Sequence, residues 1–189
     1  MSVSGKLIVF TAPSGSGKTT IVKHILSTFP ETSFSVSATT RERRPHEVHG
    51  QDYYFLSVEI FKRWIGYGAF AEWEEVYPDQ FYGTLKSEIK RLHQKDKHVI
   101  FDVDVQGALS IKEKYPRECL TVFIKVPTLE ELERRLRHRG TDSEESLHKR
   151  LQKAELELTF EPQFDQVLIN DDLGTTLKKA EEIVRNFLL

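Results

Sequence analysis

Two periods of apolar residues run along this chain. Leu7-Ile8-Val9-Phe10 is an apolar, β-branched run of the kind a buried strand requires. Ile21, Val22, Ile25 and Leu26 then recur at helical spacing, and the helix they predict stops near Phe29-Pro30, where proline cannot continue it. Phe34 to Ser37 alternates apolar and polar, as a half-buried strand does, and the polar stretch Thr39 to Asp52, with Pro45 and Gly50, reads as loop. Tyr53 to Leu56 suggests a short strand. Ser57 caps a helix that turns Phe61, Trp64 and Ile65 inward, and Phe70 to Val76 reads as an alternating strand.

The pattern then settles into strict alternation of helix and strand. A helix over roughly Thr84 to Lys95 carries Leu85, Ile89 and Leu92 on one face. His98 to Asp104 is a buried strand with carboxylates at its end, and a helix follows to about Tyr115. After the strand Leu120 to Val126, Thr128 and Glu131 form a capping box for a helix burying Leu129, Leu132 and Leu136. A break at Gly140 to Ser143 leads to a longer helix bearing Leu147, Leu151, Ala154 and Leu158. Gln166 to Ile169 is the last strand, and Leu177, Ile183, Val184 and Phe187 mark the inner face of a C-terminal helix. Strands separated by helices imply an α/β fold with a parallel sheet and helices on both faces. The segment from about 35 to 83 interrupts this rhythm as a small, mostly β insertion.

Composition narrows the class. With 189 residues, 39% hydrophobic and 30% charged, the chain is one globular domain with enough length for a real core. A formal net charge of -2 argues against nucleic acid as the main partner. The single cysteine, Cys119, sits in an apolar run and is expected as a core residue, and none of the 7 histidines has a spacing that demands a metal. No apolar stretch approaches the ~20 residues of a membrane span, and Met1 to Lys6 is too short for a signal peptide. These features fit a cytoplasmic enzyme with no membrane partner and no obligatory protein partner.

The chemistry concentrates where the first strand ends. Ala12-Pro13-Ser14-Gly15-Ser16-Gly17-Lys18-Thr19-Thr20 lies between strand and helix, the context of a phosphate-binding loop. Glycines let backbone amides converge on an anion, the helix N-terminus adds partial positive charge, and Lys18 adds a full one. Thr19 offers a hydroxyl to Mg2+. Ala12 departs from the usual pattern, which has glycine at that position. Asp102, closing an apolar strand, is the candidate acidic partner for magnesium or its water shell; alone it would read as a solvated strand-end carboxylate. Arg41, Arg43 and Arg44 share one polar loop with Tyr53, a set suited to a second phosphate, although composition alone would favour a solvated charge run.

Thr40-Arg41-x-x-Arg44-x-x-Glu47-x-x-Gly50-x-x-Tyr53-x-Phe55 closely resembles the guanylate kinase signature. The resemblance extends to the phosphate loop, Phe70-Ala71-Glu72-Trp73, Tyr82-Gly83-Thr84, Asp102 to Gly107, Arg135 to Gly140, and Asn170-Asp171-Asp172, covering nearly the whole chain in order. It implies a P-loop α/β core (1–34, 84–136 and 146–189), a GMP-binding insertion (about 35–83) and a helical lid (about 137–145). It also implies phosphorylation of GMP by ATP with Mg2+. By resemblance Arg41, Arg44, Tyr53 and Tyr82 would hold the GMP phosphate; Ser37, Glu72 and Thr84 would read guanine, with Asp104 near its amino group. Arg135, Arg139 and Arg150 would reach the transferring phosphates, and Asn170 would lie on the adenine side of ATP. Arg134 and Arg137 match no role and read as a solvated face. Gly66, Gly68, Gly83 and Gly140 are candidate flexible points for closure. Three rivals share parts of these motifs: another small-molecule kinase, a guanylate-kinase-like scaffold without catalysis, and a nucleic-acid-binding ATPase.

Overall fold

A computed structural model describes residues 5–138 and 143–189 of the chain. A five-stranded parallel sheet forms its centre, in the order β2 (Thr32–Phe34), β7 (His98–Asp102), β1 (Leu7–Thr11), β8 (Cys119–Lys125), β9 (Gln166–Ile169). Between these strands run α1 (Lys18–Thr28), α3 (Lys86–His93), α4 (Val105–Lys114), α5 (Leu129–His138) and α6 (Glu144–Leu158), and α7 (Leu173–Leu188) follows the last of them. Strand β1 is central, so all five of its residues are buried, and its alternate side chains feed two different cores. Leu7 and Val9 pack with Ile89, Leu92, Phe101, Ala108 and Ile111 under α3 and α4. Ile8 and Phe10 pack with Ile21, Ile25, Ala180 and Val184 under α1 and α7. One run of apolar residues thus anchors helices on both faces of the sheet, and the phosphate loop leaves from its end.

A second sheet has the order β4 (Tyr54–Phe55), β3 (Ala38–Thr39), β6 (Gln80–Leu85), β5 (Phe70–Tyr77). Helix α2 (Val58–Gly66) lies on it; Ser57 Oγ caps the helix by accepting from Ile60 N, and Phe61 inserts between Phe70 and Phe81, ring centroids 4.3 and 5.3 Å away. Burying a ring of that size is worth about 1.5–3 kcal/mol. This small apolar centre, shared with Ala38 and Leu85, is separate from the two cores of the parallel sheet.

Several sequence expectations shift at element ends. Residues 35–37 are not a strand: the chain leaves the parallel sheet at Phe34 and enters the second sheet at Ala38, so the alternation from Phe34 to Ser37 spans a crossing between sheets. Thr84 and Leu85, expected in a helix, finish β6, because Thr84 pairs with Glu72 and Leu85 joins the Phe61 core; the helix starts at Lys86. Strand β6 itself carries no clean alternation, and its hairpin turns at Asp79, a non-glycine residue with φ 59°. Val103 and Asp104 lie beyond β7, and Asp104 caps α4 by accepting from Gly107 N at 2.8 Å. The capping box is half formed: Thr128 Oγ1 accepts from Glu131 N at 3.2 Å, whereas the Glu131 carboxylate turns to Arg134 and Arg135. Cys119 is buried at the start of β8, and burial pushes its thiol up to about 12. The lid expected at 137–145 lies partly, and Gly140 wholly, outside the described residues.

Candidate functional site

The loop after β1 turns through two glycines in the left-handed region, Gly15 at φ 100° and Gly17 at φ 89°, which side-chain-bearing residues seldom enter. Gly17 caps α1 with no side chain, so the dipole end of the helix opens onto the loop. A Cβ on Gly17 would also stand 2.4 Å from Asn170 Nδ2. That amide donates to Ser16 O at 2.8 Å, tying the loop to the end of β9. Ala12 has no such constraint: its φ is not positive, and its methyl packs against the α1-side core, which is why alanine serves where glycine is usual.

Adjacency of β1 and β7 in the sheet sets Asp102 opposite Phe10, one residue before β1 ends. Lys18 Nζ there forms an ion pair with Asp102 Oδ1 and donates to Val103 O at 3.2 Å. The loop lysine is therefore held toward the strand ends, where a ligand of an α/β sheet sits.

The loop of residues 40–53 between β3 and β4, about 45–50 Å of chain when extended, would be shapeless without an internal tie. Glu47 supplies it: the carboxylate accepts from Arg41 Nη2 at 2.7 Å, Arg41 Nη1 at 3.1 Å and Arg44 N at 2.8 Å. The Arg41 guanidinium raises no question of charge, and it holds the Glu47 carboxyl down to about 2. Arg41 also lies over the rings of Tyr53 and Phe55 at 5.5 and 5.8 Å, and Tyr53 meets Tyr82 edge-on at 6.0 Å. A cation and two phenols thus converge, a set that matches phosphate oxygens.

Strand β5 does not alternate simply. Phe70 pairs with Leu85 and Glu72 with Thr84, so Ala71 is one residue too many on its strand, a β-bulge. Phe70 before it and Trp73 beyond it both face the Phe61–Phe81 cluster, whereas Glu72, Glu74 and Val76 line the cleft. Glu72 is only 7% exposed, and burial pushes its carboxyl up. The Cβ position of Gly107 would lie 3.1 Å from both Glu72 Oε2 and Asp104 Oδ1, so the two carboxylates meet over the start of α4. A hydrogen bond between the Glu74 and Asp104 carboxyls pushes Glu74 up to about 7. Three carboxyl groups at one end of a cleft are suited to a base that presents donors side by side.

A cavity of about 510 Å³ collects these features. Its walls include residues 12–20 of the loop, Ser37, Tyr53, Glu72, Tyr82, Asp102, Asp104 and Arg150. Arg150, from α6, reaches the loop by donating from Nη1 to Ser14 Oγ at 3.0 Å. Thr84 is buried behind Glu72, and Arg41 stands behind Tyr53, outside the wall. Arg44 is exposed and also outside it. Arg135 lies elsewhere: Nε donates to Glu131 Oε1 at 2.6 Å and Nη2 to Asn170 O at 3.0 Å, beside a second hollow bordered by Gly15 and Gly17. Arg134 and Arg137 are spent on ion pairs with Glu131, Glu133 and Glu144, as a solvated face would be. Arg139 lies outside the described residues.

Glu74, Lys153 and Glu157 line the cavity too, and no residue pattern had singled them out. Only the even spacing of Glu72 and Glu74 carried a signal for the first. Glu47 stood within the Thr40 to Phe55 motif, with no role until its fork to Arg41 was visible. Among the described residues no group of three or more His, Cys, Asp or Glu could hold a metal ion by itself.

A family model described as guanylate kinase matches residues 4–187. A guanylate kinase from Bacteroides thetaiotaomicron is 46% identical over 98% of this chain and 91% of its own length. One from Salinibacter ruber is 47% identical over 96% of each. Among solved structures, guanylate kinase from Anaplasma phagocytophilum superposes with a TM-score of 0.74 at 30% identity, covering 96% of this chain and 85% of its own.

Proposed function

The chain belongs to the guanylate kinase family, and on that premise we propose how its residues divide the transfer of a phosphoryl group. It is a nucleoside monophosphate kinase that converts ATP and GMP to ADP and GDP. The observation that supports the division of labour is the single cavity in which the phosphate loop faces Tyr53, Glu72, Tyr82 and Asp104.

In this reading residues 12–20 cradle the ATP phosphates with backbone amides, and Asn170, which holds the loop in shape through Ser16 O, lies toward the adenine. Arg41, Arg44, Tyr53 and Tyr82 grip the GMP phosphate. Ser37, Glu72, Thr84 and Asp104 read its guanine. Phosphoryl transfer needs in-line placement and positive charge around spreading negative charge, not a covalent nucleophile. Lys18, beside Asp102, and Arg150, on Ser14 of the loop, supply that charge, with Arg135 and Arg139 joining as the lid region closes and water is excluded. Lys18 leaves Asp102 for the phosphates as ATP enters.

Thr19 and Asp102 are hard oxygen donors on the cavity wall, a set that fits Mg2+ completed by phosphate oxygens and water. Bound there, the ion would neutralise phosphate charge, and Asp102 freed from Lys18 would hold it or its water shell. No helix among the described residues is long and apolar enough to cross a membrane, and we read the enzyme as cytoplasmic.

A coupled assay of ADP release with GMP, AMP, CMP and UMP tests the reading. Release with GMP well above the others supports it. GMP binding without release would favour a scaffold of the same fold, and a preference for another monophosphate would overturn the guanine-reading set.

A further inference from the structure

Lys114 closes α4 on the outer side of the guanine end of the cleft, and no motif drew attention to it. Its ammonium donates to the carbonyl oxygen of Ala71, the extra residue of the β5 bulge. The bulge decides where Glu72 points. In an unbroken strand Phe70, Glu72 and Glu74 would share one face. Here Phe70 stacks on Phe61, Ala71 enters the core under α4, and Glu72 joins Glu74 on the cleft wall.

We propose that Lys114 is a positioning residue for guanine recognition: it pins the bulge that turns Glu72 into the cleft and sets a positive charge behind that carboxylate. The inference rests on the reading of Glu72 as the guanine contact. A bulge carbonyl is left outside the regular ladder, and an ammonium donor holds it in one orientation. Glu72 is buried, and Asp104 on α4 and Glu74 on its own strand both add negative charge nearby; Lys114 is the cation that opposes them. Farther across the cavity stand Lys18 with Asp102, and Arg150, Lys153 and Glu157 on α6. To accept from two guanine N–H groups Glu72 must be ionised, so the charge behind it bears directly on GMP affinity.

The test is Lys114→Met in the full chain, with initial rates measured against GMP and ATP between pH 5 and 9. The expected result is a rise of about tenfold in KM for GMP, with kcat changed less than about twofold and KM for ATP unmoved. On acidification KM for GMP should begin to climb at a higher pH than in the wild type, because the buried carboxylate protonates more readily without its cation. Lys114→Arg should restore both values. Lys114→Gln keeps a donor without charge, and should recover part of the KM while leaving the acid limb displaced. A Lys114→Met enzyme with wild-type KM for GMP, or with a lower melting temperature and an unmoved pH profile, overturns the role. A wild-type enzyme that does not prefer GMP would instead overturn the reading of Glu72.

Discussion

The Arg41 guanidinium and the Glu47 carboxylate, six positions apart in one loop, meet as a fork at 2.7 and 3.1 Å, with the Arg44 amide on the same carboxylate. Arg41 thus stands ready before any phosphate arrives, and the orienting cost falls on folding rather than on binding. Glu47→Gln should raise KM for GMP about fivefold or more and alter kcat less, since the neutral amide orients the arginine poorly. Steady-state kinetics with GMP varied at saturating ATP measures this; an unchanged KM would mean that Arg41 needs no internal partner.

The same pair has a pH signature. Glu47 titrates at about 2 in the folded protein, against an ordinary 4.5. A depressed carboxyl stabilises the fold fully above its ordinary value, and that contribution is lost as pH falls from there through about 2. Melting temperatures of wild type and Glu47→Gln should therefore converge as pH drops from 5 toward 2 and stay apart, in favour of wild type, at neutrality. A constant gap across that range would contradict the assignment.

Glu72→Gln should narrow the preference for GMP over AMP by about 2 kcal/mol, the scale of an unmade charged hydrogen bond. Guanine offers N1–H and an amine as donors, whereas adenine offers a lone pair at N1, which a carboxylate repels. Ratios of kcat/KM for the two monophosphates give the number. If Glu72→Gln keeps full preference and Glu74→Gln loses it, the base contact lies one step farther along the cleft wall.

Lys18→Ala should lower kcat by orders of magnitude while GMP still binds, because the lysine acts on the transferring phosphates. Calorimetry with GMP alone and turnover with both nucleotides separate the two effects. Near-normal turnover would remove Lys18 from the transfer step.

Gly17→Ala should damage ATP binding specifically. Its φ of 89° strains any side chain, and the new methyl would push Asn170 off Ser16 O. The expected result is a KM for ATP raised about tenfold or more, with a loss of about 1–3 kcal/mol in stability. Asn170→Ala, which removes only the hydrogen bond, should show a smaller rise in the same constant; both follow from ATP-varied kinetics and chemical denaturation.

Along the chain, local chemistry was legible wherever one short stretch carries the whole cause. Leu7 to Phe10 reads as a buried strand, and the Gly15, Gly17, Lys18 sequence between it and a helical period reads as amides and a cation gathered around an anion rather than as a flexible turn with a surface lysine. The alternation of helices and strands likewise required a parallel sheet, so the α/β class and the position of the loop at the strand ends followed from the sequence itself. Tertiary structure decided what depends on partners far apart in sequence. Glu72 faces the cleft because Ala71 is bulged against β6, and no alternation rule foresees an extra residue whose carbonyl is held by Lys114. Thr84 and Leu85 ended as strand because Glu72 and the Phe61 core claim them. Gly83, a candidate flexible point by residue type, is a tight contact instead: a Cβ there would stand 2.8 Å from Glu72 O and 2.9 Å from Trp73 Cβ. Asp102 stood out as an acidic partner of the phosphate loop, but its pairing with Lys18 depends on sheet order, which sets β7 beside β1. Periodicity records which side of an element is apolar; which residues meet across the cleft is fixed by strand order and register, and those are energies of pairs that the sequence does not place side by side.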